Sequence, residues 1–200
     1  MMISDTELNK SKLEKYLIIF CFFLALLSLG GLWSSVSIFL PTIQEVFGIN
    51  IIGTALLFVV MLLPVPFTEI FVIPFKKFGK KIIVLWGILI LTLFGIIHPF
   101  VTNYPTLLLF RFIAAAGFGI LFKYHNQILG EYCLPSQNPI NTLIMMSGLV
   151  TGAFGSSYFT IYLYNLFNEN WKLSIAFWGF LGLITTILWI IVLIKTEILK

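Results

Sequence analysis

Arg111 has the most to explain. It stands in TLLLFRFIAAAGFGI, a run with no other charge. A guanidinium placed there faces an anion, takes part in moving protons, or escapes its surroundings by reaching headgroups and neighbouring carbonyls. Glu69, in PVPFTEIFVI, is the only acidic residue well inside an apolar run. It reads as a proton carrier or gate, or as half of an interfacial ion pair with a nearby lysine. His98 and His125 close two further runs, and Cys21 and Cys133 lie far apart. These groups form no nucleophile–base constellation. The chain has no Gly-x-Ser-x-Gly elbow or His-Glu-x-x-His, and no Walker loop for ATP. The spacing of His125, Glu131 and Cys133 matches no zinc pattern. The expectation is a protein that is not an enzyme, holds no metal and uses no cofactor.

The elements that must carry these residues follow from composition. The chain is 60% hydrophobic and 10% charged, against roughly 25% charged in soluble domains, so a single soluble core cannot hide its apolar surface. A lipid bilayer must be the solvent for most of it. The net charge of +4 fits a nucleic-acid binder, but the lysines sit in short clusters between apolar runs, which suits anionic headgroups instead. No nucleic-acid partner is expected. A spanning helix needs about 20 mostly apolar residues, and six stretches qualify: 16–40, 51–75, 82–100, 106–124, 140–164 and 173–194. The runs are continuous rather than alternating, which makes them helices and not barrel strands. Residues 1–15 form a polar N-terminal segment and 195–200 a tail. The first run is too long for a signal-peptide core, has no small-residue cleavage site after it, and is expected to stay as a span. The expected fold class is an all-α membrane protein of six transmembrane helices.

Lysine placement sets the orientation. With the N-terminus cytoplasmic, Lys10, Lys12, Lys15, Lys76, Lys77, Lys80, Lys81, Lys123, Lys195 and Lys200 all lie inside, and only Lys172 lies outside. Both termini are therefore expected in the cytoplasm, in an integral multi-pass protein of the plasma membrane. His98 then falls at the outer interface and His125 at the inner one, too far apart to share a metal.

Five local patterns, in order, are similar to one family. The first span ends in FLPTIQEVFGIN. The second leads into the short basic loop KKFGKK. The fourth carries RFIAAAGFGI, the fifth SGLVTGAFGSS, and the sixth opens with NWKLSIAFWGF. Together they resemble the N-terminal half of a major facilitator superfamily transporter, over nearly the whole chain. The resemblance implies two inverted three-helix repeats, a solute site between two six-helix halves, and alternating access by rocking of one half on the other. It also implies that the first and fourth helices line the cavity. One departure stands out. The family's loop reads roughly Gly-x-x-x-Asp-Arg-x-Gly-Arg-Arg, whereas this chain has Val72 in place of the glycine and Lys76 in place of the aspartate. That aspartate helps latch one half to the other, so Lys76 points to a weakened or rewired latch.

Candidate site residues follow from both readings. Arg111, Ala115, Gly119 and Phe122 share one helical face, and the first three are expected to contact solute. Trp33, Ser34 and Ser37 on the first helix either join them or, for the serines, bond their own backbone. Gating or coupling falls to Glu69, to Lys76, Gly79 and Lys80 in the loop, and to Pro64 and Pro66. The two prolines break the second helix and make either a flex point or a static bend. Gly148, Gly152 and Gly155 form a small-residue stripe for close helix packing.

The expected function is a half-size secondary active transporter of a small solute, to which Arg111 gives an anionic or carboxylate character. Its partners would be the bilayer and a second six-helix half, either an identical copy or a separate chain. Two other readings stay open: a non-transporting membrane subunit or receptor with the half-fold, and a truncated piece of a twelve-helix transporter.

Overall fold

The computed structural model describes residues 5–133 and 135–198. Residues 1–4 of the expected N-terminal segment and 199–200 of the expected tail, including Lys200, lie outside the described residues. Among those described, every regular element is helical. Helix α1 spans Asp5–Ile38 and is followed, after Phe39, by the short α2 (Leu40–Phe47) with Pro41 in its first turn. The stretch expected as a loop after the first span is thus largely helical, because Pro41 occupies a position where its missing N–H costs nothing. Gly48 closes α2 in the left-handed region, at φ 61°. Asn50 then caps α3 (Ile51–Val59), its side chain accepting from the N–H groups of Ile52 and Gly53, each at 3.1 Å. Helices α2 and α3 meet at 114°.

The expected second crossing is not one helix. Helix α3 ends at Val59, an irregular stretch of turns carries the chain over Pro64 and Pro66, and only five residues of α4 (Thr68–Val72) return to α geometry. A 3₁₀ segment, Ile73–Phe78, follows. The reason is local. Pro64 and Pro66 lack N–H donors, and their rings clash with the carbonyls four residues back, those of Val60 and Leu62. The backbone turns to tighter bonds, Met61 N–H to Phe58 O at 3.2 Å and Phe67 N–H to Pro64 O at 3.0 Å. The break foreseen at the prolines is therefore a full interruption, not a bend. Among the described residues, five helices are individually long and apolar enough to cross a membrane, with the bent pair α2–α3 as a further apolar unit.

The other expected spans are helices. They are α5 (Lys80–Ile97, continued by a 3₁₀ turn at His98–Phe100), α6 (Tyr104–Tyr132), α7 (Asn138–Leu166) and α8 (Trp171–Ile198). Helix α6 runs on to Tyr132, well past the expected end at residue 124, and takes up most of the predicted loop. Gly79 opens α5 at φ 84° and ψ 159°, a conformation open essentially to glycine alone.

Helix α1 packs against α7 and α8, and α5 packs against α6 and α8. Small residues allow the closest approaches. A Cβ on Gly148 would collide with the carbonyl of Phe23, and one on Gly152 with that of Leu27, so this pair seats α7 on α1 within the bundle. Gly155, on the same helix, faces open space. Trp178 ties three helices: its indole N–H donates to Thr160 Oγ1 at 2.8 Å, and its carbonyl accepts from Ser28 at 2.5 Å.

Gly152→Ala is expected to lower stability by about 1–3 kcal/mol through overpacking, while Gly155→Ala is neutral or slightly stabilising, since alanine is the better helix former. Thermal unfolding of the purified variants, followed by circular dichroism, checks this. Equal losses at the two positions would contradict the packing described.

Candidate functional site

One stripe of α6 holds the interrupted segment in place. Tyr104, Arg111, Gly119 and Lys123 recur at helical spacing along it. The Tyr104 hydroxyl donates to Gly53 O at 2.7 Å. Arg111 Nε donates to Leu57 O at 3.0 Å. Gly119 leaves room for Thr68 and Val65. Lys123 Nζ bonds Glu69. The Leu57 carbonyl needs this donor because Met61 N–H has turned to Phe58 O. A carbonyl unmet in hydrocarbon costs several kcal/mol, of the order of a buried unpaired polar group.

Arg111 is only 1% exposed. Among the described residues no carboxylate pairs with it, and its Nη2 has no hydrogen-bond partner. It shares a small cavity with His98, which is 3% exposed. Val36, Ile43, Leu57, Leu107, Trp171 and Ile175 supply the apolar walls. The space open to the centre of a water-sized sphere is about 10 Å³, close to one water molecule. His98 Nδ1 lies 3.0 Å from Gly95 O and 3.3 Å from Phe94 O. Both neighbours are acceptors, so Nδ1 carries the hydrogen and donates. His98 Nε2 is buried with no partner. Two orphaned polar atoms therefore belong to residues lining one void. His98 is the first residue of the 3₁₀ turn that continues α5, and α8 and α6 pack over that turn. The sequence signalled this only by the HPF triplet.

The remaining predicted residues are distributed as follows. On α1, Trp33 and Ser34 are half-buried. Ser37 is exposed and donates to Ser34 O at 2.6 Å. Val36, not these three, reaches the Arg111 cavity. Ala115 is fully buried, one turn from Arg111. Phe122 is exposed and borders a second apolar pocket with His125, Met145 and Met146. Glu69 lies between two cations, with Lys76 Nζ at 3.3 Å from its Oε2 and Lys123 on its Oε1. Lys80 pairs with Glu131 at 3.0 Å, a contact that exists because α6 extends beyond its expected end. Among the described residues, no three His, Cys, Asp or Glu side chains are placed to hold a metal ion.

Residues 16–199 match the sequence model of the Major Facilitator Superfamily. No curated protein matches the chain.

Glu69→Gln removes the charge that Lys76 and Lys123 share. Exposed pairs contribute roughly 0.2–1 kcal/mol each, so the expected loss is below about 2 kcal/mol and shrinks as salt is added. Unfolding at low and high ionic strength measures it; a larger, salt-independent loss would contradict a half-exposed network.

Proposed function

This chain belongs to the major facilitator superfamily, whose members are in general membrane transporters rather than enzymes, and on that premise we propose that it is a half-size secondary transporter of a small solute. It works beside a second six-helix half by alternating access, the two halves rocking about a site near the bilayer midplane. Each half is built of two inverted three-helix repeats. The protein sits in the plasma membrane with both termini cytoplasmic, an orientation that the lysine distribution supports.

The exposed face of α7 carries this reading. Helix α7 is the least buried of the five long apolar helices and also the least apolar. A helix turned to lipid shows the opposite relation, as α8 does: its exposed face is Ile184, Ile187, Ile190, Ile191 and Ile194. The exposed surface of α7 instead mixes Ser147, Thr151, Gly155, Tyr158 and Tyr162 with large apolar side chains, Leu143, Val150 and Phe154 among them. Small and hydroxyl-bearing side chains favour helix–helix contact or a wet cavity over acyl chains. A second copy of the chain, or a complementary chain, covers this face.

The solute is an anion or carboxylate, and Arg111 is its counter-charge once the cavity opens; Ala115, Gly119, Trp33, Ser34 and Ser37 belong to the same wall. Pro64 and Pro66 allow the segment before the lysine loop to flex, and Gly79 lets the loop turn. Glu69, Lys76 and Lys80 hold that loop to α6 in one access state. A second reading, a non-transporting subunit with the half-fold, is favoured by Lys76: it occupies the position of the latch aspartate and pairs with Glu69 of its own chain.

Reconstitution into proteoliposomes separates the two. The transporter reading expects uptake of a small organic anion that falls at least about tenfold in Arg111→Ala, a loss of some 1.4 kcal/mol of transition-state stabilisation. It also expects cross-linked pairs through α7. A strictly monomeric protein that moves no solute overturns it. Lys76→Asp should shift the balance of access states, measured by cysteine accessibility on the two sides; an unchanged balance would leave the loop with a topological role alone.

A further inference from the structure

The small cavity that Arg111 helps to line is closed in this structure, with space for about one water molecule. A solute reaches Arg111 only when part of the wall moves. Most of the wall is fixed: Val36, Leu107 and Ile175 belong to the long helices α1, α6 and α8, and Leu57 of α3 is bonded by Arg111 itself. Ile43 differs. It is the one wall residue from α2, a helix of eight residues. It is also the one buried residue in α2, at 2% exposure, while Pro41, Glu45 and Val46 face outward. A single side chain therefore seats this helix in the bundle.

Both ends of α2 interrupt the helical path. Phe39, at φ −99° and ψ 17°, separates it from α1, and Gly48, at φ 61°, ends it before α3. Gly48 turns there without a Cβ penalty. Phe39 is an anchored pivot, buried against Tyr164 and Trp171 with ring centroids 5.2 and 6.5 Å away. Helix α2 thus lies at the end of the bundle where α7 meets α8, away from the lysine loop. Across to α3, Gln44 Nε2 donates to Thr54 Oγ1 at 2.7 Å. The Thr54 hydroxyl donates in turn to Asn50 O at 3.2 Å, which fixes it as the acceptor for Gln44. Thr54 and Leu57 are the buried residues of α3, so this bond sits one turn from the carbonyl that Arg111 caps. We propose that α2 is a lid on the Arg111 cavity, with Phe39 and Gly48 as its pivots, Ile43 as its plug and the Gln44–Thr54 bond as its clasp. Lifting it withdraws one isoleucine and breaks one neutral side-chain hydrogen bond. Displacing α1, α6 or α8 would instead separate helices seated on one another at glycines.

The lid rests on the transport reading's premise that this cavity opens, and its test needs no flux. In the purified full chain in lipid nanodiscs, Cys21 and Cys133 are replaced by alanine. Leu107→Cys, in the cavity wall, is the reporter. Leu121→Cys, equally buried but beside the other pocket of α6, is the control. A small anionic methanethiosulfonate is added, and mass spectrometry follows the labelling rate at each position. Gln44→Leu and Thr54→Val each open the clasp. Each should speed labelling of Leu107→Cys about two- to tenfold, the change in an opening equilibrium that one hydrogen bond makes, and leave Leu121→Cys unchanged. If the Leu107→Cys protein fails to fold, hydrogen exchange on the native chain decides: Gln44→Leu should speed exchange of the α2 amides by the same factor and leave those of α6 unaltered. Rates at the reporter that ignore both clasp variants, or equal acceleration at Leu121→Cys, overturn the lid. Solute flux with an unresponsive α2 would sink the lid and spare the transport reading. A responsive α2 in a protein that moves no solute would do the reverse.

Discussion

A hydrocarbon solvent leaves no backbone group unattended, and the architecture turns on one place where the chain breaks that rule. Pro64 and Pro66 stop the hydrogen-bond ladder of the second apolar segment. Water would satisfy the released carbonyls in a soluble protein, but here a neighbouring helix must do so. Helix α6 does so for Leu57 with a guanidinium, and the same stripe puts a phenol on Gly53 in α3, a gap at Gly119 against Val65 and Thr68, and an ammonium on the Glu69 carboxylate in α4. These contacts flank the interruption on both sides and tie it into the bundle.

The arrangement has an electrostatic cost that explains the rest of the site. Using Arg111 to cap a carbonyl brings a full charge into the interior while only one of its nitrogens is put to that use. Its Nη2 is left without a hydrogen-bond partner, and Arg111 and His98 line one small void. The same side chain therefore holds the broken segment and keeps an anion-attracting corner within the fold. At the lysine end the balance is cheaper, because Glu69 and Glu131 are half-exposed and meet Lys76, Lys123 and Lys80 where screening is strong.

Helix packing divides the two sides of α7. Gly148 and Gly152 spend the small-residue stripe on α1, inside the unit. The neighbouring stripe through Ser147, Thr151 and Gly155 faces outward, beside exposed Leu143, Val150 and Phe154. A glycine stripe in a sequence marks close approach but does not tell which neighbour approaches, since residues on both sides of a helix recur at similar spacing. The serines of α1 show the same limit. Ser28 and Ser37 read alike in sequence, yet Ser28 joins α1 to Trp178 while Ser37 bonds its own helix.

Composition and hydropathy by themselves determined the bilayer as solvent, the helical class and most of the apolar segments, because a lipid environment leaves long apolar helices as one of few ways to satisfy a backbone; the family came from the resemblance carried by five local motifs in order. They also marked the prolines, Arg111 and Glu69 as departures from an apolar pattern. Tertiary structure alone decided how far the proline break extends, which carbonyl Arg111 meets, that His98 is buried beside it, and that Glu69 is shared by two lysines. The reason is that these pairings join residues 51 to 54 positions apart in the chain for Tyr104, Arg111 and Lys123. Local periodicity reports which face of a helix a residue occupies; only packing reports what that face meets.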